Sequence, residues 1–403
     1  MTAEAKEGLV ATMTARLPQI LDDIAALVTC ESPSSNLAAV AASADVVAGI
    51  GERLTGQPPE RITIDGVSHL RWRLGAALAS GAPASGAPSG VGPARVLLLA
   101  HHDTVWPLGS LATHPFSVTD GVLRGPGCFD MKTGLALALH AAAALGAPAG
   151  LTILVTGDEE VGSPSSRALN EAEAVGCRAA LVLEAAADGG ALKTERKGTS
   201  MYWVRAVGRA AHAGLEPEKG VNATIELAHQ VLAIGGLADT ARGTSVTPTA
   251  MSAGTTLNTV PATGDIAVDV RMWDAAEQER VNAGMRALTP VLDGAALEVT
   301  GGPNRPPLAS SASAALFARA AAVAARLGLP PVTRAAVGGA SDGNFTAGAG
   351  VPTLDGLGAV GGGAHADHEH VLVAELSGRA ALLAALIEDL LGPEAAPSAA
   401  TTS

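Results

Sequence analysis

Three short apolar runs, Val96–Ala100, Leu151–Thr156 and Ala179–Leu183, each stop abruptly at charged or polar residues. Runs of this length read as strands buried on both faces of a parallel sheet, and open α/β sheets collect their ligands at the carboxyl ends of such strands. The first run continues into His101-His102-Asp103-Thr104, the second into Gly157-Asp158-Glu159-Glu160-Val161-Gly162-Ser163, and the third into Glu184. In extended chain, residues i and i+2 share a side, so His101 and Asp103 are expected to point together and His102 away.

Other stretches carry helical spacing. Leu9, Met13, Leu17, Ile20, Leu21, Ile24 and Leu27 predict a helix over 7–29. Pro18 predicts a kink or a fresh start within it, and the breaker-rich segment Glu31–Asn36 ends it. A second helix is expected over 37–56. Residues 75–94 are low-complexity Gly/Ala/Ser/Pro and read as a flexible surface loop. An Ala/Leu-rich helix should run from about Leu135 to Leu145, stopped by Gly146.

Beyond residue 195 the pattern changes. Strands near Ser200–Val207, Thr247–Thr255, Gly264–Met272 and Ala296–Thr300 alternate with helices near Val221–Ile234 and Ala275–Leu288. The order β-α-β-β-α-β is ferredoxin-like. The chain then returns to α/β, with helices over Ala312–Leu327 and Val373–Leu391. The expected fold is α/β: a mixed-sheet domain sandwiched by helices (1–195 and 304–392) with a ferredoxin-like α+β unit inserted at 196–303. A disordered tail is expected at 393–403.

Composition narrows the function. At 403 residues, two domains are expected. Hydrophobic residues are 48% of the chain but aromatics only 2%, so the cores must be built from Ala, Val and Leu. A net charge of −13 opposes nucleic acid as a partner. Three widely spaced cysteines suit a reducing compartment. No run approaches the roughly 18 apolar residues of a membrane span, and a cytoplasmic location is the expectation.

The acids and imidazoles remain to be explained. Three consecutive acids after a buried strand are costly unless a cation or protons neutralise them; a solvated acidic turn is the alternative. Gly125-Pro126-Gly127-Cys128-Phe129-Asp130 lacks the third glycine and the Lys-Ser/Thr pair of nucleotide loops, and reads as a tight turn presenting Asp130 at a helix start. His365-Ala366-Asp367-His368-Glu369-His370 reads as a charged loop or a His-rich metal tract. His101, Asp130, Glu160, Glu184 and His365 together offer two imidazoles and three carboxylates, a set suited to two divalent ions sharing a carboxylate. Glu159, beside Glu160, is then the natural general base.

At this point the chain resembles the co-catalytic zinc metallopeptidases that include glutamate carboxypeptidase, acetylornithine deacetylase, succinyl-diaminopimelate desuccinylase and aminoacylase. The resemblance spans nearly the whole chain, in order, through HHDTV, GPGCFDMKTG, GDEEVGS, LEAA, GRAAHAG, NTVPATGDIAVDVR, GGASDGNF and GGGAHADHE. It implies two zinc ions per subunit, with cobalt or manganese also fitting. His101 and Glu184 would bind one ion, His365 and Glu160 the other, and Asp130 would bridge. Glu159 would be the base and Asp103 would orient His101. The inserted unit would act as a dimerisation and lid domain, making a homodimer in which His212 stabilises the oxyanion at the neighbouring subunit's site. Arg271 and Asn258 would face the substrate, although Arg271 also reads as a structural partner of Asp269, Asn258 as a turn residue and His212 as a surface residue.

HHDTVWPLGS, Pro115-Phe116 and DEEVGSPSSR favour the glutamate carboxypeptidase type: hydrolysis of an amide to release a free C-terminal amino acid from a small peptide or N-acyl amino acid. The alternatives are an N-acyl amino acid deacylase of the acetylornithine/succinyl-diaminopimelate type, or a non-catalytic relative that binds amino-acid derivatives.

Overall fold

A computed structural model describes residues 3–75 and 95–393. The expected 75–94 loop and the expected tail therefore lie almost wholly outside the described residues. The chain divides into two compact units: Met1–Thr194 with Ser310–Ala336 and Ser341–Ser403, and Glu195–Ala309 with Val337–Ala340.

The first unit is built on a six-stranded mixed sheet. Its strands are β1 (Glu60–Ile64), β2 (Val67–Arg73), β3 (Val96–His101), β4 (Leu151–Thr156), β5 (Ala179–Val182) and the short strand Thr353–Leu354. Their spatial order is β1-β2-β4-β3-β5 and then Thr353–Leu354. The β3, β4, β5 and Thr353–Leu354 strands are parallel, and β1 and β2 add an antiparallel edge. Every residue of β3, β4 and β5 is buried.

Alternation along β3 divides the core. Val96, Leu98 and Ala100 pack in one cluster with apolar residues of α1 (Ala3–Thr29), α2 (Leu37–Thr55), α3 (Thr133–Ala144) and the helix Val373–Leu391. Leu97 and Leu99 pack in another, with Ala174 of the helix Arg167–Ala174, Cys177 and Val351. The sheet is thus covered on both faces, as parallel strands require. The connection from β3 runs to β4 on one side, and the next, from β4, crosses to β5 on the other side of β3, so the strand order reverses at β3, where open α/β sheets gather ligands at the strands' carboxyl ends. In register, His101 sits beside Thr156 of β4, so these strand ends finish level.

Helix α1 runs unbroken through Pro18, with no fresh start there. A proline in a helix removes one backbone hydrogen bond, but buried Met13, Ile20, Ile24, Leu27 and Val28 lie on both sides of Pro18 in the same core cluster. Packing of that face keeps one helix where local propensity alone argues for two. Helix α2 is bounded as its sequence suggests: the Asn36 side chain accepts from Ala39 N–H, and Gly56 closes the helix in the left-handed conformation.

The second unit is a four-stranded antiparallel sheet of β6 (Gly198–Val207), β7 (Ser245–Ala253), β8 (Thr263–Met272) and β9 (Ala296–Arg305), in the order β7-β8-β6-β9. One sheet face, carrying Tyr202, Val204, Ala206, Ile266, Val268 and Val270, packs on α4 (Ala223–Gly235) and α5 (Ala275–Arg286) through Leu227, Ile234, Val281 and Met285. This is the ferredoxin-like arrangement that the element order predicts.

Close packing sets one sharp requirement. A Cβ at Gly134, at the start of α3, would lie 1.9 Å from the Leu183 carbonyl oxygen, and one at Gly358 would lie 2.1 Å from the same atom. Overpacking of this kind costs about 1–3 kcal/mol. Gly134→Ala is expected to lower the urea-unfolding midpoint by that order, whereas Gly146→Ala, at an exposed turn where nothing lies within 4 Å, should pay only for its positive φ. Equal midpoints for Gly134→Ala and the parent would rule the contact out as a constraint.

Candidate metal centre

The carboxyl end of β3 gathers acids and imidazoles from five separate stretches of the first unit. His101 ends β3 and is 1% exposed. Its Nδ1 lies 3.0 Å from the Asp103 carbonyl oxygen and 3.4 Å from Asp103 Oδ1. A carbonyl has no proton to give, so Nδ1 carries a hydrogen, and a cation that displaced the second proton would meet the lone pair of Nε2. That Nε2 is buried, has no hydrogen-bond partner, and sits 3.5 Å from both Asp130 Oδ1 and Glu184 Oε1. His102, as the alternation predicts, turns the other way: its Nε2 meets the Ser68 carbonyl oxygen at 3.0 Å, and burial pushes its pKa down to about 4, so the ring is neutral.

Asp130 sits in the irregular segment Cys128–Lys132 that precedes α3. Its two oxygens face two histidines: Oδ1 faces His101, and Oδ2 lies 3.3 Å from His365 Nε2. His365 also lies 3.1 Å from Glu160 Oε2, while Glu160 Oε1 is buried without a hydrogen-bond partner. His365 has a positive φ of 62° and its side chain is 51% exposed, which puts it at the rim of the site. Among the described residues, two groups of three have ligand atoms within 4.8 Å of one another: His101, Asp130 and Glu160, and His101, Glu159 and Glu184.

The electrostatics agree with the geometry. Burial by itself would lower the pKa of His101, but Asp103, Asp130 and Glu184 raise it well above the ordinary histidine value. Hydrogen bonds to Asp130 and Glu160 hold His365 up at about 10. Burial opposes ionisation of Asp130, yet the two imidazoles hold its carboxyl far below the usual range. Glu160 is raised by burial and by the neighbouring Asp130 charge. The shifts of the two histidines and of Glu160 report a negative pocket that favours positive charge, and that of Asp130 reports the two imidazoles beside it. An unpartnered imidazole nitrogen and carboxylate oxygens within 4.8 Å of one another are the donor set that divalent zinc, cobalt or manganese accepts.

Other carboxylates prove to be supports. Asp103 is fully buried; it accepts from Ser34 Oγ at 2.6 Å and from the backbone N–H groups of Glu159 and Glu160 at 3.2 Å each. It therefore holds the acidic turn as well as orienting His101. Asp158, first of the three acids, accepts from Ser165 and Ser166 through both hydroxyls and both N–H groups. Asp342 of the GGASDGNF stretch accepts from Thr156 Oγ1 at 3.1 Å and from Ser163 Oγ. Glu369 was missed as a contributor by sequence reasoning: it lies 3% exposed beneath the Asp130 segment. Its position four residues after His365 was the available signal.

The remaining candidates belong to the second unit. His212 is exposed, and its Nδ1 accepts from Gly214 and Leu215 N–H at 3.1 Å each. Asn258 is exposed, and its carbonyl accepts from Ala213 N–H at 2.9 Å. Arg271 donates to Asp269 through Nε and Nη2, at 2.9 Å from each, so the structural pairing that the strand alternation suggested is present.

A family model described as peptidase family M20/M25/M40 matches residues 97–389. The chain belongs to this family. It is similar to carboxypeptidase G2 of Pseudomonas sp. (strain RS-16), with 33% identity over 314 residues that cover 75% of each chain. It is also similar to succinyl-diaminopimelate desuccinylase 2 of Shewanella loihica, with 33% identity over 201 residues covering 44% of this chain and 53% of that one. The fold matches an M20 family metallo-carboxypeptidase, Sso-CP2 from Sulfolobus solfataricus, at a TM-score of 0.70 with 15% identity, covering 93% of this chain and 99% of that chain. This M20 chain is thus a metal-dependent hydrolase of the metallopeptidase and carboxypeptidase kind. Among the described residues no helix is long and apolar enough to cross a membrane.

A ligand that binds only the folded state stabilises it by mass action, by about 2.7 kcal/mol at one hundred times its Kd. Zinc added to chelator-treated protein is therefore expected to raise the thermal midpoint, and His101→Ala to abolish most of the rise. A parent midpoint indifferent to zinc, cobalt and manganese would remove the metal centre.

Proposed function

We propose that this M20 chain is a dinuclear-zinc amidohydrolase that releases a free C-terminal amino acid from a small peptide or N-acyl amino acid, in the manner of a glutamate carboxypeptidase. The observation that carries the reading is Asp130, whose two oxygens face His101 and His365 separately. That is the arrangement of a carboxylate shared between two ions, with Glu184 beside His101 and Glu160 beside His365. Two divalent ions so held would supply Lewis acidity to the scissile carbonyl and make a water more acidic.

The chain's own residues divide the remaining work. Glu159, buried next to this site, takes a proton from the attacking water and delivers it to the leaving amine nitrogen. Asp103 fixes Glu159 through its backbone N–H and fixes His101 through Nδ1. His212 donates to the carbonyl oxygen as negative charge develops on it, acting between subunits of a homodimer whose second unit is the lid and dimerisation domain. Asn258 faces the substrate, and Arg271 takes its carboxylate in competition with Asp269. The free cysteines Cys30, Cys128 and Cys177 suit a reducing cytoplasm.

The likeness to desuccinylases keeps a second reading in view, an N-acyl amino acid deacylase. A catalytically silent binder is disfavoured by Glu159, since binding alone has no use for a base beside the ligands. A panel of dipeptides, folate-like acyl glutamates and N-acyl amino acids, assayed with zinc and with chelator, separates these. Turnover confined to N-succinyl or N-acetyl substrates would replace the carboxypeptidase reading.

Glu159→Gln is expected to lower kcat by about 10²–10⁴-fold while zinc binding persists; parental turnover in that variant would disprove the role of base. His212→Ala should lower kcat more than it raises KM, and an unchanged kcat would take His212 out of the site.

A further inference from the structure

Glu369 makes a set of contacts that neither the ligand groups nor the base account for. Its Oε1 accepts from Phe129 N–H at 2.8 Å and Asp130 N–H at 3.0 Å, and its Oε2 from Gly127 N–H at 3.0 Å and the Trp106 indole at 2.7 Å. Gly127 and Phe129 are buried, so their amides have no water to turn to. The segment they belong to is not held by a regular helix: Asp130 and Met131 have non-helical backbone angles. A single buried carboxylate therefore organises the turn that presents Asp130. The same carboxylate sits four residues after His365, so it ties the segment bearing one histidine to the segment bearing the shared aspartate.

We infer that Glu369 is a positioning residue that locks Asp130 in register with His365 and so sets the affinity of the site for its divalent ions. This rests on the metal-centre reading above. The chemistry requires a carboxylate. A glutamine in the same place offers one acceptor oxygen, and its NH₂ would face N–H donors, leaving part of the turn unserved. Outer partners that orient ligands in this way typically change metal affinity by about 10–100-fold when removed.

The test is a zinc competition titration of the holoenzyme against a chromophoric chelator, with circular dichroism recorded on each variant. Glu369→Gln is expected to keep the parental spectrum and to bind zinc about 10–100-fold more weakly. Trp106→Phe, which removes one donor from Oε2, should show a smaller loss and carries the test if Glu369→Gln does not fold. Parental zinc affinity in a folded Glu369→Gln, or in Trp106→Phe when only that variant folds, overturns the positioning role. His101→Ala separates the two levels: if it abolishes zinc binding while Glu369→Gln matches the parent, only the positioning inference falls. If neither variant alters zinc binding, the metal-centre reading falls with it.

Discussion

Negative charge packed at the dry end of a parallel sheet is the constraint on which this structure turns. Asp103, Asp130, Glu159, Glu160 and Glu184 converge where buried strands end. Such a cluster is stable only if each carboxylate finds donors or a cation. The molecule answers in two ways. Asp103, Asp158 and Glu369 are served by hydroxyl, indole and backbone N–H donors and become scaffold. Asp130, Glu160 and Glu184 instead face imidazole nitrogens across gaps of 3.1–3.5 Å. Chemically identical groups thus take different roles according to what surrounds them.

The scaffold is precise because backbone packs on backbone. Gly134 and Gly358 both approach the Leu183 carbonyl, one residue before Glu184. Gly157, just ahead of the acidic turn, leaves a Cβ position 2.6 Å from the Ser68 carbonyl. Buried Arg379 donates to the carbonyls of Gly358 and Gly190 at 3.0 and 3.2 Å, and also to that of Gly356. Burial lowers its pKa to about 10, still well above neutrality, so it remains charged. Acidic side chains at the strand ends are held by neighbours that cannot move without clashing, a requirement for any site whose ligands must keep a fixed geometry.

The second unit obeys simpler rules. Its sheet buries one face on two helices, and Trp203 on the other face is half exposed beside buried Tyr202 and Val204. Alternation of period two was enough to read this unit. Val337–Ala340, which also belongs to it, had no such pattern: four residues carry no period, and their membership depends on where the chain passes in space.

Periodicity and abrupt polarity by themselves determined the buried strands and the ferredoxin-like unit, and marked His101, Glu159, Glu160 and Glu184 as candidates for chemistry, while a tight turn before a helix marked Asp130. Those signals are local, because a strand end that turns acidic costs energy wherever it lies. Family resemblance added the assignment of roles. Tertiary structure alone decided which acids are scaffold: Asp158 and Glu160 stand two residues apart in one turn, yet the first meets serine donors and the second a histidine. It alone carried α1 through Pro18 and brought Glu369 under the Asp130 turn from more than two hundred residues away. Hydrogen-bond partners distant in sequence leave no period to read, and a carboxylate's function is set by those partners.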